Sequence, residues 1–342
     1  MNYSIHLLRA VAIFLVVLGH SLFVPYSGQI SEFRRVLLVL LGEGTTVFVL
    51  VSGFLFCLLN YNYSYTRFLS NKVKNVLYPY LLMSVPAILI YALGIKSDHD
   101  WLDLNWLSEK GIWYVVFYFY LTGAHLGPYW YIPVIFMIFI MSPLSVMLFR
   151  TSYPLLILFF FIFLPIVIPR SPDNSDLVQS FIHYYSLFIV GGILCIYRTQ
   201  LERSWIWIGF GVTFVLFSYF SFRFQEFPLF LSKLCLFIFL YGFFSRFYTR
   251  FSGALIFRLL DMVAVFSFPI YFVHGYFISS LKMFAYSDQV DSALLYSCHV
   301  LLVGLGVAFV SILFAFVVAR TFRTHARYMV GLNYNEFRRL SL

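Results

Sequence analysis

LRAVAIFLVVLGHS, residues 8–21, is apolar except for Arg9 near its start and His20-Ser21 at its close. His20 lies eleven positions after Arg9, about three turns at ~3.6 residues each, so both side chains leave a helix on nearly one face. Along the axis they lie roughly 16 Å apart. Ionisable groups are costly at membrane depth, and where they persist they mark functional sites. Two plainer readings stand beside this one. Arg9 also serves as an anchor at a membrane boundary, and His20 as a histidine satisfied within a core.

Working outward, the same apolar character recurs to the far end of the chain. Of 342 residues, 62% are hydrophobic and 11% charged, and the mean hydropathy is +0.88. A soluble domain has no use for that much apolar surface, so the expected fold is an all-α polytopic membrane protein. Taking about 20 apolar residues per crossing predicts ten helices, near 5–24, 35–59, 75–95, 128–149, 153–169, 179–197, 204–222, 228–247, 259–282 and 293–319. All ten belong to a single transmembrane domain, 1–342. The run 111–123 (GIWYVVFYFYLTG) is too short to cross and reads as a re-entrant or interfacial segment, with Trp101 and Trp106 at headgroup level. The first run lacks the basic n-region and small-residue cleavage site of a signal peptide.

The charges behind the net +9 fall mostly in the inter-helix segments and near helix ends. They read as an orientation signal rather than a nucleic-acid surface. With the N-terminus inside, the inner segments hold most of the lysines and arginines. Asp98, Asp100, Asp103, Glu109, Asp173, Asp176, Asp288 and Asp291 fall outside. Both termini are therefore expected in the cytoplasm. Cys57, Cys195, Cys235 and Cys298 sit in apolar runs with no CxxC or Cys/His spacing, and read as buried fillers rather than disulfide or metal ligands.

Several further groups are candidates for chemistry. Glu43 is a carboxylate at the outer end of the second helix, placed to pair with a basic group. Ser52-Gly53 and Gly191-Gly192 suit close helix packing. Arg67, Lys72 and Lys74 precede Pro79 in an inner loop; they are a topology signal and equally a seat for anionic phosphates. Trp130 and Tyr131 form either an interfacial belt or a platform for a carbohydrate. His274, five residues after Pro269, is a second intramembrane histidine in a helix that the proline loosens, a pattern that lines cavities.

Together these residues resemble the acyltransferase-3 family of integral membrane O-acyltransferases. The arginine and histidine with ten residues between them, Arg9 and His20, are similar to its first-helix hallmark. Gly44 to Phe54 resembles its second helix, Trp130-Tyr131 with Pro133 its "WYL" entry, Phe188 to Gly191 its "FxxG" helix, and Ser267 to His274 its "S-x-PIYL-x-H" helix. Two positions depart from the pattern. Lys72, Lys74 and Asn75 stand where the family usually carries a double arginine, and Val49 replaces the second aromatic of an "FF" pair.

The resemblance, to the stand-alone form without an esterase-like domain, implies an activity. An acyl group, most often acetyl, would pass from acetyl-CoA or another acyl-CoA to a hydroxyl of a surface glycan or its lipid-linked precursor. The setting would be the bacterial inner membrane, among membrane lipids, with no metal and no nucleic acid; a homodimer is one option for the assembly. His20 would act as general base or transient acyl carrier; Arg9, grouped with it in the catalytic machinery, would act from a distance through cofactor binding or cavity electrostatics. Arg67, Lys72 and Lys74 would bind the cofactor, and Glu43, Ser52, Trp130, Tyr131 and His274 the substrate. The competing class is a polysaccharide or lipid-linked glycan exporter without acyl transfer of its own. It calls for a continuous polar pathway, which most of these helices do not provide.

Overall fold

The structure, a computed structural model, describes residues 2–24, 32–96, 99, 102–224, 227–284 and 292–340. Asp98, Asp100, Trp101, Asp288 and Asp291 lie outside the described residues. Every regular element described is helical. The main ones are α1 (Tyr3–Ser21), α2 (Glu32–Leu41), α3 (Gly44–Leu59), α4 (Tyr65–Ala92), α5 (Ile112–Thr122), α6 (Tyr131–Ile140), α7 (Ser142–Phe149) and α8 (Pro154–Val167). They continue with α9 (Leu177–Ile196), α10 (Ser204–Arg223), α11 (Leu229–Phe251), α12 (Leu255–Val265), α13 (Ser267–Phe284), α14 (Ala293–Phe322), α15 (Ala326–Val330) and α16 (Tyr334–Arg339).

Among the described residues seven helical spans are long and apolar enough to cross a membrane, α2 and α3 together (Glu32–Asn62) making one of them, or nine if each of two bent pairs counts as one span. The protein is thus an all-α integral membrane protein. The ten apolar segments of the sequence all recur as helix. They do not all recur as straight crossings. The pair α6–α7 bends by 61°, and α12–α13 by 79°. The segment 153–169 becomes α8, whose 14 residues reach about 21 Å, short of a ~30 Å hydrocarbon core. The short run 111–123 becomes α5, 11 residues long, with Trp113 and Phe117 on its exposed face.

The stretch that decided the reading occupies the centre. α1 is packed against α3, α11, α12, α13 and α14, and most of its residues are buried. Its neighbour α3 crosses α9 at two glycines. A Cβ on Gly53 would lie 1.9 Å from the Phe188 carbonyl oxygen, and one on Gly191 2.2 Å from that of Leu50. Only hydrogen fits at either site, so the backbones touch directly. α10 packs along α11 on the periphery with most of its surface exposed.

After α14 the chain turns back. Arg323, at a positive φ of 48°, starts a turn that leads into α15, which packs on α4. Phe337 of α16 then sits against Phe266 and Phe316. These contacts bring the last described residues to the end of the bundle where α1 begins.

Candidate functional site

Arg9 emerges from the lower part of α1 at the bend between α12 and α13. Its Nη2 donates to the Ala264 carbonyl at 2.8 Å and to Ser267 Oγ at 2.9 Å, and its Nε approaches the same hydroxyl at 3.3 Å. A helix that stops leaves carbonyls without intrahelical donors and carries partial negative charge at that end. The guanidinium answers both. The bend falls at Phe266, ahead of Pro269. The proline occupies the first turn of α13, where a missing N–H costs nothing.

His20, three turns further along α1, meets His274 of α13. Their ring centroids are 5.5 Å apart with planes at 50°. His274 has no solvent exposure. Its Nδ1 lies 2.9 Å from the Ile270 carbonyl and 2.8 Å from that of Tyr271. Carbonyls only accept, so Nδ1 carries the proton and Nε2 presents a lone pair. That buried Nε2 has no hydrogen-bond partner among the described residues. His20 itself is half-buried. α13 is therefore docked on α1 at two levels, by arginine below and by histidine above.

A cavity of about 640 Å³ opens at the end of the bundle that carries the N-terminus. Arg9, Arg67, Lys72 and Arg327 contribute its cations, and Glu336 its carboxylate. Asn60, Asn71, Asn75 and Asn333 add polar groups near the mouth, while Phe48, Tyr131 and Tyr271 line the deeper part. From Leu59 to Phe48 the cavity follows twelve residues of α3, eleven steps or about 16 Å at ~1.5 Å per step.

Local structure explains its shape. Val73–Leu77 forms a π-helical turn, two residues before Pro79, whose ring nitrogen has no proton to give to the regular ladder. Lys72 points inward, with Nζ 4.5 Å from the Phe139 ring and 5.3 Å from that of Phe68. Lys74 is exposed and is not among the lining residues.

At the deep end Ser52 donates to the Phe48 carbonyl at 2.9 Å, and the Tyr131 hydroxyl lies beside Ser52. The Tyr271 ring packs 5.8 Å from Tyr131 and 5.9 Å from His274, with its hydroxyl on the Pro128 carbonyl. Neither His20 nor His274 lines this cavity. Tyr271 therefore stands between the cavity and the histidine pair, one helical turn below His274.

A second cluster lies toward the opposite end of α1. Glu43, at a left-handed φ of 55°, separates α2 from α3. Its carboxylate accepts from Thr46 Oγ1 at 3.3 Å and faces Arg170 Nε at 3.6 Å. Arg170 also interacts with Tyr184, and Tyr184 packs against Trp130 with centroids 5.2 Å apart. The break is held from a third helix by Lys233, wholly buried, whose Nζ donates at 2.8 Å to the carbonyls of both Val39 and Leu40.

The sequence candidates thus divide into three places. Arg9, Ser52, Arg67, Lys72 and Tyr131 share the cavity; His20 and His274 form the pair beyond Tyr271; Glu43 and Trp130 belong to the cluster around Arg170. The sequence reading does not single out Arg327, Tyr271 or Lys233 as site residues: Arg327 and Lys233 count only toward orientation, and Tyr271 only as part of the Ser267–His274 motif. Lys233, a cation in a predicted helix, carried a signal of the same kind as Arg9. Tyr271, one aromatic among many, carried none.

Comparison with known proteins agrees with this arrangement at the level of family. No curated protein and no solved structure matches the chain. The family model described as an acyltransferase domain matches residues 2–320, which takes in α1, both bent pairs and the histidine pair. The chain belongs to the acyltransferase-3 family of membrane acyltransferases.

Proposed function

We propose that this membrane acyltransferase takes its acyl group from acyl-CoA, most simply acetyl-CoA, and delivers it to a hydroxyl of a surface glycan or a lipid-linked precursor. The observation that carries this reading is the cavity. Four cations against one carboxylate stand along its wall, it extends about 16 Å along α3, and it stops at Tyr271, whose ring adjoins His274. A phosphorylated carrier with a long narrow arm suits that shape: phosphates among the cations, thioester toward the tyrosine. A small displacement of the Tyr271 ring would join the cavity to the histidines.

In this scheme His20 removes the proton from the acceptor hydroxyl. The hydroxyl oxygen attacks the thioester carbon, the carbon–sulfur bond breaks, and the departing thiolate takes the proton back from the imidazolium. The same groups also balance a two-step route, in which the imidazole nitrogen first takes the acyl group and the hydroxyl then removes it. Arg9 holds the bend that positions α13 and adds positive charge to the wall. Glu43, Arg170, Tyr184 and Trp130, at the far end, form the surface that meets the acceptor. We place the cavity mouth and both termini in the cytoplasm of a bacterium, at its inner membrane, by the distribution of basic residues.

One experiment tests donor, base and sidedness together. Purified protein is sealed in vesicles of known orientation, with labelled acetyl-CoA on the mouth side and a glycan acceptor on the other. Acylated glycan should form, and His20→Ala should lower its rate about 10²–10⁴-fold. Wild-type turnover in the histidine variant would refute the base assignment. Product only with both substrates on the mouth side would refute transmembrane delivery.

A further inference from the structure

The family model ends at residue 320, but the cavity does not. Arg327, Gly331, Asn333, Asn335 and Glu336 all line it, and all follow the matched region. Arg327 is the one cation among them. Its Nε donates to Asn75 Oδ1, and its Nη2 to Asn71 Oδ1 at 3.3 Å. Both asparagines belong to α4, on the turn where the sequence lacks the family's double arginine.

We infer that Arg327, supplied by the segment after the last membrane-spanning helix, holds a phosphate of the acyl donor at the cavity mouth. The inference rests on the donor reading above and adds a residue and a segment to it. Three observations support it.

The first is the nature of Arg327's partners. Amide oxygens are neutral acceptors, so they fix the guanidinium in place without consuming its charge. The hydrogen bonds to Asn71 and Asn75 use Nε and Nη2, and the remaining donors of the five-donor fork face no partner among the described residues. A planar fork with free donors is the group that binds phosphate through two parallel bonds.

The second is how the segment is held. Gly331 adopts a positive φ of 70°, and a Cβ there would come within 3.0 Å of the Asn75 carbonyl oxygen. The chain can cross α4 this closely because the residue is glycine. α15 packs on α4, and Phe337 anchors α16 between Phe266 and Phe316. Arg327 is thereby carried on a fixed wall.

The third is charge placement. Glu336 interacts with Arg9 and His6, deeper toward α1. Among the described residues no carboxylate forms an ion pair with Arg327, so its charge is left to face a ligand. Lys72, turned onto Phe139 and Phe68, and Arg67 complete a three-cation mouth suited to a carrier with more than one phosphate.

The test uses full-length protein purified in detergent. Coenzyme A binding and the donor dependence of turnover are measured for wild type, Arg327→Gln, Arg327→Lys, Asn71→Ala and, as a control that is exposed and lines no part of the cavity, Arg339→Gln. Arg327→Gln should raise the Kd for coenzyme A and the donor KM about 10–100-fold, with kcat at saturating donor and the acceptor KM near wild type. Lysine should recover part of the loss. Asn71→Ala should show a smaller rise, and it reports on the site even if the glutamine variant fails to fold. Arg339→Gln should match wild type.

Wild-type affinity in Arg327→Gln, with coenzyme A bound normally by the parent protein, would overturn this inference alone. A change confined to retention of anionic phospholipid, the other phosphate ester within reach, would also overturn it. Failure of coenzyme A to bind the parent protein would instead sink the donor reading, and this inference with it.

Discussion

Two helices stop and restart inside the apolar bundle, and each break is held by a cation from another helix. At Phe266, Arg9 donates to the Ala264 carbonyl. At Gly42-Glu43, Lys233 donates to the carbonyls of Val39 and Leu40. The electrostatic problem is the same in both places: carbonyls at a helix end need donors, and water is scarce. The surroundings differ. Lys233 is wholly buried and lines no part of the cavity described above, so its charge serves the break alone. Arg9 is half-buried and stands on the cavity wall, so its charge is also presented to whatever enters. An intramembrane cation is therefore not a site by itself. The space beside it decides.

Substitutions at the two breaks can separate these roles. The largest effect is expected for Arg9→Ala, which unties α12 from α13 and removes a cavity charge. Turnover with labelled acetyl-CoA should fall about 10²-fold or more, the scale for losing a positioned electrostatic group. Arg9→Lys should restore much of the stability and little of the rate, since an ammonium cannot span Ala264 and Ser267 as a fork does. Equal rates for Arg9→Lys and wild type would place Arg9 with Lys233, as a structural clamp.

Lys233→Met should act on stability. It leaves two carbonyls short of a donor, a cost of about 1–3 kcal/mol, visible as a lower thermal midpoint in detergent. Turnover below that midpoint should stay near wild type. A drop in rate without a drop in midpoint would mean that the Glu43 break also serves the chemistry.

The smallest effect is expected from Glu43→Gln. Its partner Arg170 is about half exposed, and such pairs contribute about 0–1 kcal/mol. The midpoint should hardly move, while the KM for the glycan should rise several-fold if the cluster meets the acceptor. An unchanged glycan KM would leave Glu43 as a helix-break residue only.

The sequence made the helices legible because apolar runs of that length have few other uses. It made Arg9 and His20 legible because they are ionisable groups in an otherwise apolar run. It did not reveal the breaks. The segment 35–59 reads as one helix, yet Gly42, Glu43 and Gly44 divide it, and the carbonyls so released are answered by a lysine almost two hundred positions later. The meeting of His20 with His274, and of Arg327 with Asn71 and Asn75, depends on packing between distant helices, which no local pattern encodes. Lys72 and Lys74 look equivalent in sequence, two residues apart, but helical geometry and the π turn send one to the cavity and the other to the surface.

The way α15 and α16 close the cavity also sets an order of events during synthesis. Arg327, Gly331 and Glu336 leave the ribosome after α14, when the other lining residues outside this segment have already been synthesised. Throughout membrane insertion the mouth is short of one wall and one cation. If Arg327 holds a donor phosphate as inferred above, a chain interrupted after α14 would keep its membrane spans and the histidine pair yet bind coenzyme A more weakly. A segment that follows the membrane-spanning helices thus finishes the mouth.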